Sequence, residues 1–136
     1  MAQLTRDALL KKQVLKIEKV EFDDGDFVHV KQMTGRARDN FEQSLMDKVT
    51  DKDGVVSYER NLLDFRAKLA VCTICDEEGN LLLTSSDISI LSEAMSAARL
   101  ESIVNAAQEL NKITKKDKEN LLKNSAPDQT DDSTSA

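Results

Sequence analysis

Four groups of residues have the types and spacing that chemistry would need. The run Asp51-Lys52-Asp53-Gly54-Val55-Val56-Ser57-Tyr58-Glu59 has the outline of a calcium-binding loop, where oxygens at fixed positions wrap the cation around a central glycine turn. With Gly54 at the sixth loop position, Asp51 and Asp53 fall on the third and fifth. Val49 then occupies the first and Arg60 the twelfth, where carboxylates are required. Too few oxygens remain, so the run reads as a turn between two helices with Ser57 capping the second. Cys72-Thr73-Ile74-Cys75 is a single C-x-x-C pair. A structural zinc takes four ligands, and beyond this pair the chain offers only His29 and carboxylates. A redox thiol is activated at a helix N-terminus, whereas this pair ends a helix, where the dipole favours the protonated thiol. The two cysteines therefore read as small buried hydrophobes.

His29 is the sole histidine, and no G-x-S-x-G elbow or phosphate-cradling G-x-x-x-x-G-K-[ST] loop accompanies it. It reads as a solvent-facing strand residue. Lys115-Lys116-Asp117-Lys118 interleaves an acid with its cations and reads as a solvated helix face. No catalytic, cofactor-binding or metal-ligating residue is assigned, no cofactor is expected, and the residues that contact partners stay unassigned. The expectation is a protein that is not an enzyme.

Composition narrows the alternatives further. The chain has 136 residues, enough for one domain with its own core, and 19 Lys and Arg against 25 Asp and Glu give a net charge of −6. Cations scattered among acids disfavour nucleic acid as a partner, because affinity for phosphate comes from clustered cations that release counterions. No apolar run approaches the length of a membrane span, and Met1 to Lys12 lacks the apolar centre of a signal peptide, so a cytoplasmic location and no membrane partner are expected. Aromatics make up only 4% of the chain, which leaves packing to aliphatic side chains.

The elements that would position these residues are mostly helical. Thr5 caps a short helix to about Lys12. Val14–Phe22 and Phe27–Met33 flank Asp23-Asp24-Gly25-Asp26 and predict a β-hairpin, with Val20, Phe22, Val28 and Val30 on its inner face and Glu21, His29 and Lys31 outside. Thr34 caps a helix through Ala37, Phe41, Leu45 and Met46 to about Lys48. A second helix from near Ser57 carries Tyr58, Leu62, Phe65, Leu69 and Cys72, with Ala67, Ala70 and Ile74 widening the stripe, and should be the central, most buried one. Leu81-Leu82-Leu83 reads as a loop with an apolar anchor. Ser86 caps a helix to about Met95, and Ser96 caps another whose Leu100, Ile103, Val104, Ala107 and Leu110 share a face. Thr114 caps a last short helix holding Leu121 and Leu122. Ser125 to Ala136, with the sole Pro and no large apolar residue, reads as a disordered tail. The expected fold is mainly α: a small helical domain over 1–124, with an N-terminal hairpin at about 14–33, helices at about 35–123, and the tail at 125–136.

The order of segments carries a family resemblance. Val30-Lys31-Gln32-Met33-Thr34-Gly35-Arg36-Ala37-Arg38-Asp39-Asn40-Phe41-Glu42 resembles the "V-R/K-x-L/M-T-G-R-x-R-D-x-F/W-E" run of tail assembly chaperones of long-tailed phages and prophages, with Ala37 where an acid is common. Arg66 to Asn80 is similar to that family's central helix and its "C/V-D-E-E-G" turn. Asp87 to Leu91, Ser96-Ala97-Ala98, Ala106 to Asn111 and Leu121-Leu122-Lys123-Asn124 resemble the remainder in the same order. The resemblance spans about Ala8 to Asn124.

It implies a non-catalytic protein of early tail assembly, working in the cytoplasm of a bacterial host and absent from the mature virion. Its client would be the tape measure protein, kept soluble while the tail tube polymerises. A longer form made by ribosomal frameshifting would add contacts to the major tail (tube) protein, and Ser125 to Ala136 would suit a chain ending in its own frame. Self-association belongs to the same expectation. The alternative is a structural virion part such as a head–tail connector or tail completion protein.

Overall fold

The computed structural model describes residues 2–113. The chain runs α1 (Arg6–Leu10), β1 (Ile17–Glu21), β2 (Phe27–Lys31), α2 (Gly35–Gln43), β3 (Met46–Thr50), β4 (Val56–Arg60), α3 (Phe65–Thr73), β5 (Ile74–Cys75), a 3-10 turn (Ser85–Asp87), α4 (Ile88–Ala94) and α5 (Ala97–Leu110). The expected helix at Thr114 and the tail at 125–136 lie outside the described residues.

The mainly helical expectation is corrected: among the described residues helix accounts for 42% and strand for 21%, in two antiparallel sheets, so the fold is mixed α/β. β1, β2 and β5 form one sheet in that order, and β3 and β4 form a separate two-stranded ribbon. The first hairpin forms as its Asp-Gly turn predicts, with Val20 opposite Val28 and Glu18 opposite Val30. Val20 and Val30 are buried and Phe22 and Val28 half-buried against the helices. β5 was not foreseen. It adds two residues to β2, pairing His29 with Cys75 and Val30 with Ile74. His29 therefore sits on the central strand of a sheet, half-buried, with its ring edge-on to Phe27, where the sequence placed it in open solvent.

The larger correction lies between Leu45 and Phe65. The helix after Thr34 ends at Gln43 rather than near Lys48, and the expected helix from Ser57 begins only at Phe65. Between them Asp51-Lys52-Asp53-Gly54 turns a hairpin instead of joining two helices, and Ser57 is a strand residue opposite Val49 rather than a cap. The physical reason is turn chemistry. Asp51 donates its N–H to the Val55 carbonyl (3.0 Å) and Gly54 to the Asp51 carbonyl (3.0 Å). The same pair of bonds closes Phe22–Asp26 and Asp76–Asn80, with Gly25, Gly54 and Gly79 at φ of +92°, +82° and +91°. All three are three-residue hairpin loops that need a left-handed residue in the glycine position.

The core forms around α3 and α5, which pack on each other. Phe65 and Leu69 of α3 meet Phe41, Leu45, Val104, Ala107 and Ile113 in one cluster, where the Phe41 and Phe65 rings lie 5.8 Å apart. One helical step on, Ala70 and Ile74 meet Val20, Val30, Leu100 and Ile103 beneath the sheet. The central burial expected of α3 and the apolar face expected of α5 are both observed. Ser96 caps α5 by accepting from the Arg99 N–H (3.2 Å), and Thr34 caps α2 through the Ala37 N–H (3.1 Å). Thr84 caps the 3-10 turn ahead of α4, in a reciprocal capping box with Asp87, and α4 itself starts from Asp87 and not from Ser86. Leu83 anchors the preceding loop in the core while Leu81 and Leu82 stay exposed.

Candidate functional site

Among the described residues, the aspartates and cysteines singled out by the sequence have local structural duties, while Lys115 to Lys118 lie outside the described residues. The Asp51 carboxylate accepts from the N–H groups of Asp53 (2.8 Å) and Val55 (2.9 Å), so the oxygen that would face a calcium ion holds its own turn together. Asp76 does the same for Glu78 and Asn80, and these backbone N–H groups, with the Asn80 side chain, hold its carboxyl below the usual range. Cys72 is half-buried at the end of α3 and Cys75 is buried in β5. Burial pushes both thiols up; at Cys75 the Lys31 ammonium opposes this and the Asp76 carboxylate adds to it. Raised thiols are poor nucleophiles and poor metal ligands. Among the described residues, no three of His, Cys, Asp and Glu gather closely enough to hold a metal ion. Likewise, no described helix is long and apolar enough to cross a membrane.

What the structure does bring together is three of the segments that carry the resemblance. Arg38, in the first half of α2, donates to Glu42 (3.1 Å) and to the Asn111 carbonyl (3.2 Å). The Asn111 side chain spans from the end of α5 to the end of β2: it accepts from the Met33 N–H (2.6 Å) and donates to the carbonyls of Lys31 (3.3 Å) and Ala107 (2.9 Å). An amide presents donor and acceptor side by side, as a backbone peptide does, so it completes the strand end. Lys31 reaches the Gly79 carbonyl (2.8 Å), fastening the Asp76–Asn80 turn over the sheet. The T-G-R-x-R-D run, the D-E-E-G turn and the Asn closing α5 are thus one structural junction. Phe41, from the same run, fills the core below it.

Among the described residues, two surfaces stand out as open to a partner. The β3–β4 ribbon is exposed along nearly its whole length, with only Val49 and Arg60 half-buried. Five residues per strand at ~3.3 Å each make an arm of roughly 17 Å. It displays Met46, Val55, Val56 and Tyr58. Two-stranded ribbons are at best marginally stable alone, and among the described residues neither outer edge of this one is joined by a further strand, which leaves a template for another strand. Asn61 secures its base, bonding through its N–H to the Leu45 carbonyl and through its side chain to Asp47 (2.7 Å). The second surface is a groove of about 500 Å³ where the α1–β1 connection passes the β2–α2 junction and the end of α5. α1 itself buries no residue, and Leu4, Leu9, Leu10 and Val14 around it are exposed. Sequence reasoning missed the arm because neither of its faces is buried, which removes the alternation that marks a strand. The Asp53-Gly54 pair was the available signal.

Comparison with known proteins is informative at the level of structure. Neither the protein-family models nor the curated proteins contain a match to this sequence. Among solved structures, the tail assembly chaperone of bacteriophage HK97 is similar, with a TM-score of 0.53 at 13% identity. The likeness covers 77% of this chain and 90% of that one. At this identity it is the fold that is shared.

Proposed function

We propose that this chain is a tail assembly chaperone of a long-tailed phage or prophage, a non-catalytic protein that binds the tape measure protein and keeps it soluble while the tail tube polymerises. The observation that carries the reading is the shared fold with the HK97 chaperone, which extends over nearly all of that protein. The ordered sequence resemblance points to the same family independently, and its motif residues converge on one junction around Asn111. A tape measure protein is long, helical and prone to aggregate; a chaperone for it needs exposed apolar surface for the client and net charge for solubility. The arm, the groove and the charge of −6 supply these.

In this reading the protein works in the host cytoplasm and leaves before the virion is complete. A frameshifted longer form brings in the tube protein. The β3–β4 arm, with open strand edges, suits contacts between copies. Co-expression with the tape measure protein encoded nearby tests the proposal: the client should move from the insoluble to the soluble fraction and co-purify with this chain. A client that stays insoluble at equal expression would sink it.

A further inference from the structure

The groove beside α1 has a charge opposite to that of the molecule. The chain carries −6 overall, yet the ionisable side chains lining this groove, Lys12, Arg38 and Lys112, are all cations. The same lining includes Leu15, Met33 and Leu110. Arg38 is fixed in place by Glu42 and the Asn111 carbonyl, while Lys12 and Lys112 are exposed at the rim. The volume of about 500 Å³ is in the range of sites that enclose a ligand or a few partner side chains.

We infer that this groove is the client-docking site and that its occupant is an amphipathic helical segment of a partner protein, with an aliphatic ridge flanked by Asp or Glu. Apolar side chains of such a segment would cover Leu15, Met33 and Leu110, and its carboxylates would meet Lys12 and Lys112, since Arg38 is already paired with Glu42; these charges would set orientation and speed encounter. A nucleic acid satisfies only the cationic half: the apolar floor offers nothing to phosphate, and the acidic remainder of the surface repels it. A basic helix would place like charges together, which costs binding rather than adding to it. The inference rests on the chaperone reading, for which it names the client chemistry.

The test uses the full chain, labelled with nitrogen-15, and two synthetic 18-residue peptides. Both carry leucines along one helical face; one has glutamates beside them and the other lysines. The glutamate peptide should bind at least tenfold more tightly, weaken as salt rises, and shift the amide signals of Gln13, Gln32, Gly35 and Lys112. The double variant Lys12→Glu/Lys112→Glu should lose at least tenfold in affinity. Because Lys112 has a left-handed backbone, Lys12→Glu/Lys112→Gly serves as a second variant that relieves that strain, and the amide spectrum verifies the fold of both. Equal binding of the two peptides, binding of neither, shifts centred on the β3–β4 arm, or undiminished binding by both folded variants would each overturn the inference. If the wild type and both variants all solubilise the tape measure protein equally, the groove assignment fails while the chaperone reading stands; if the wild type fails there, the reading itself falls.

Discussion

Replacing Asn111 with Ala removes the side chain that ties α5 to the end of β2, and the cost follows from the bonds it makes. Three hydrogen bonds disappear, to the Met33 N–H, the Lys31 carbonyl and the Ala107 carbonyl. The Ala107 carbonyl keeps a bond from the Asn111 backbone N–H, so two backbone groups lose this partner. An orphaned buried group costs ~1–3 kcal/mol, and this junction is only partly buried, so the low end applies to each and the total is about 2 kcal/mol. At roughly 4 °C per kcal/mol for a domain of this size, the melting temperature should fall by about 8 °C. Urea denaturation should show a lower midpoint with an unchanged slope, because the surface exposed on unfolding is the same. Amide hydrogen exchange should locate the damage, with the Met33 N–H losing protection. Asn105→Ala, on the exposed side of the same helix, is the control and should change stability by less than about 0.5 kcal/mol. A near-wild-type Asn111→Ala, or a loss equal to that of the control, would refute the clamp.

Other consequences can be measured on the same protein. Lys112 ends α5 at φ +58°, and the bonds Ile113 N–H to Gln108 and Lys112 N–H to Glu109 form a Schellman cap. Lys112→Gly should therefore stabilise by about 0.5–1 kcal/mol in urea melts, and a loss of stability would contradict that geometry. Burial raises the Cys72 and Cys75 thiols, so a disulfide-exchange reagent should react with them in the native state far more slowly than with the urea-unfolded chain at pH 8. The sign for stability follows: above pH ~8.5 the unfolded thiols ionise while the folded ones stay protonated, so their contribution to stability declines as pH rises. Amides of β3 and β4 should exchange hydrogen orders of magnitude faster than those of α5, since nothing buries the arm. Equal protection in the monomeric chain would mean that it packs against something.

Part of this architecture was legible in the sequence, and the rest was hidden for physical reasons that differ between elements. The first hairpin and α5 were legible because each buries one face, which imposes a period of two on Val20, Phe22, Val28 and Val30 and a helical period on Leu100, Ile103, Val104 and Ala107. The ribbon buries neither face, so its residues carry no such imprint. Leu45 and Met46 fell into step with the helix before them, and Tyr58 and Leu62 with the one after, although Leu45 is buried beyond the end of α2 and Tyr58 points into solvent. β5 escaped because two residues are too few to display any period. The junction at Asn111 was half legible: the resemblance marked its members, but only the fold could show that residues from Lys31 to Asn111 meet. The turn at Asp51-Lys52-Asp53-Gly54 was legible as a turn, yet the strands on either side of it were misread as helices.

Under the proposed function, this protein would act during tail assembly and would not be built into the product. Quantitative mass spectrometry of purified particles, alongside lysates from the same infection or induction, addresses it directly. The account predicts abundant chain in the lysate, bound to the tape measure protein, and essentially none in finished virions. Stoichiometric retention in purified particles would contradict it and point to the connector or completion class instead.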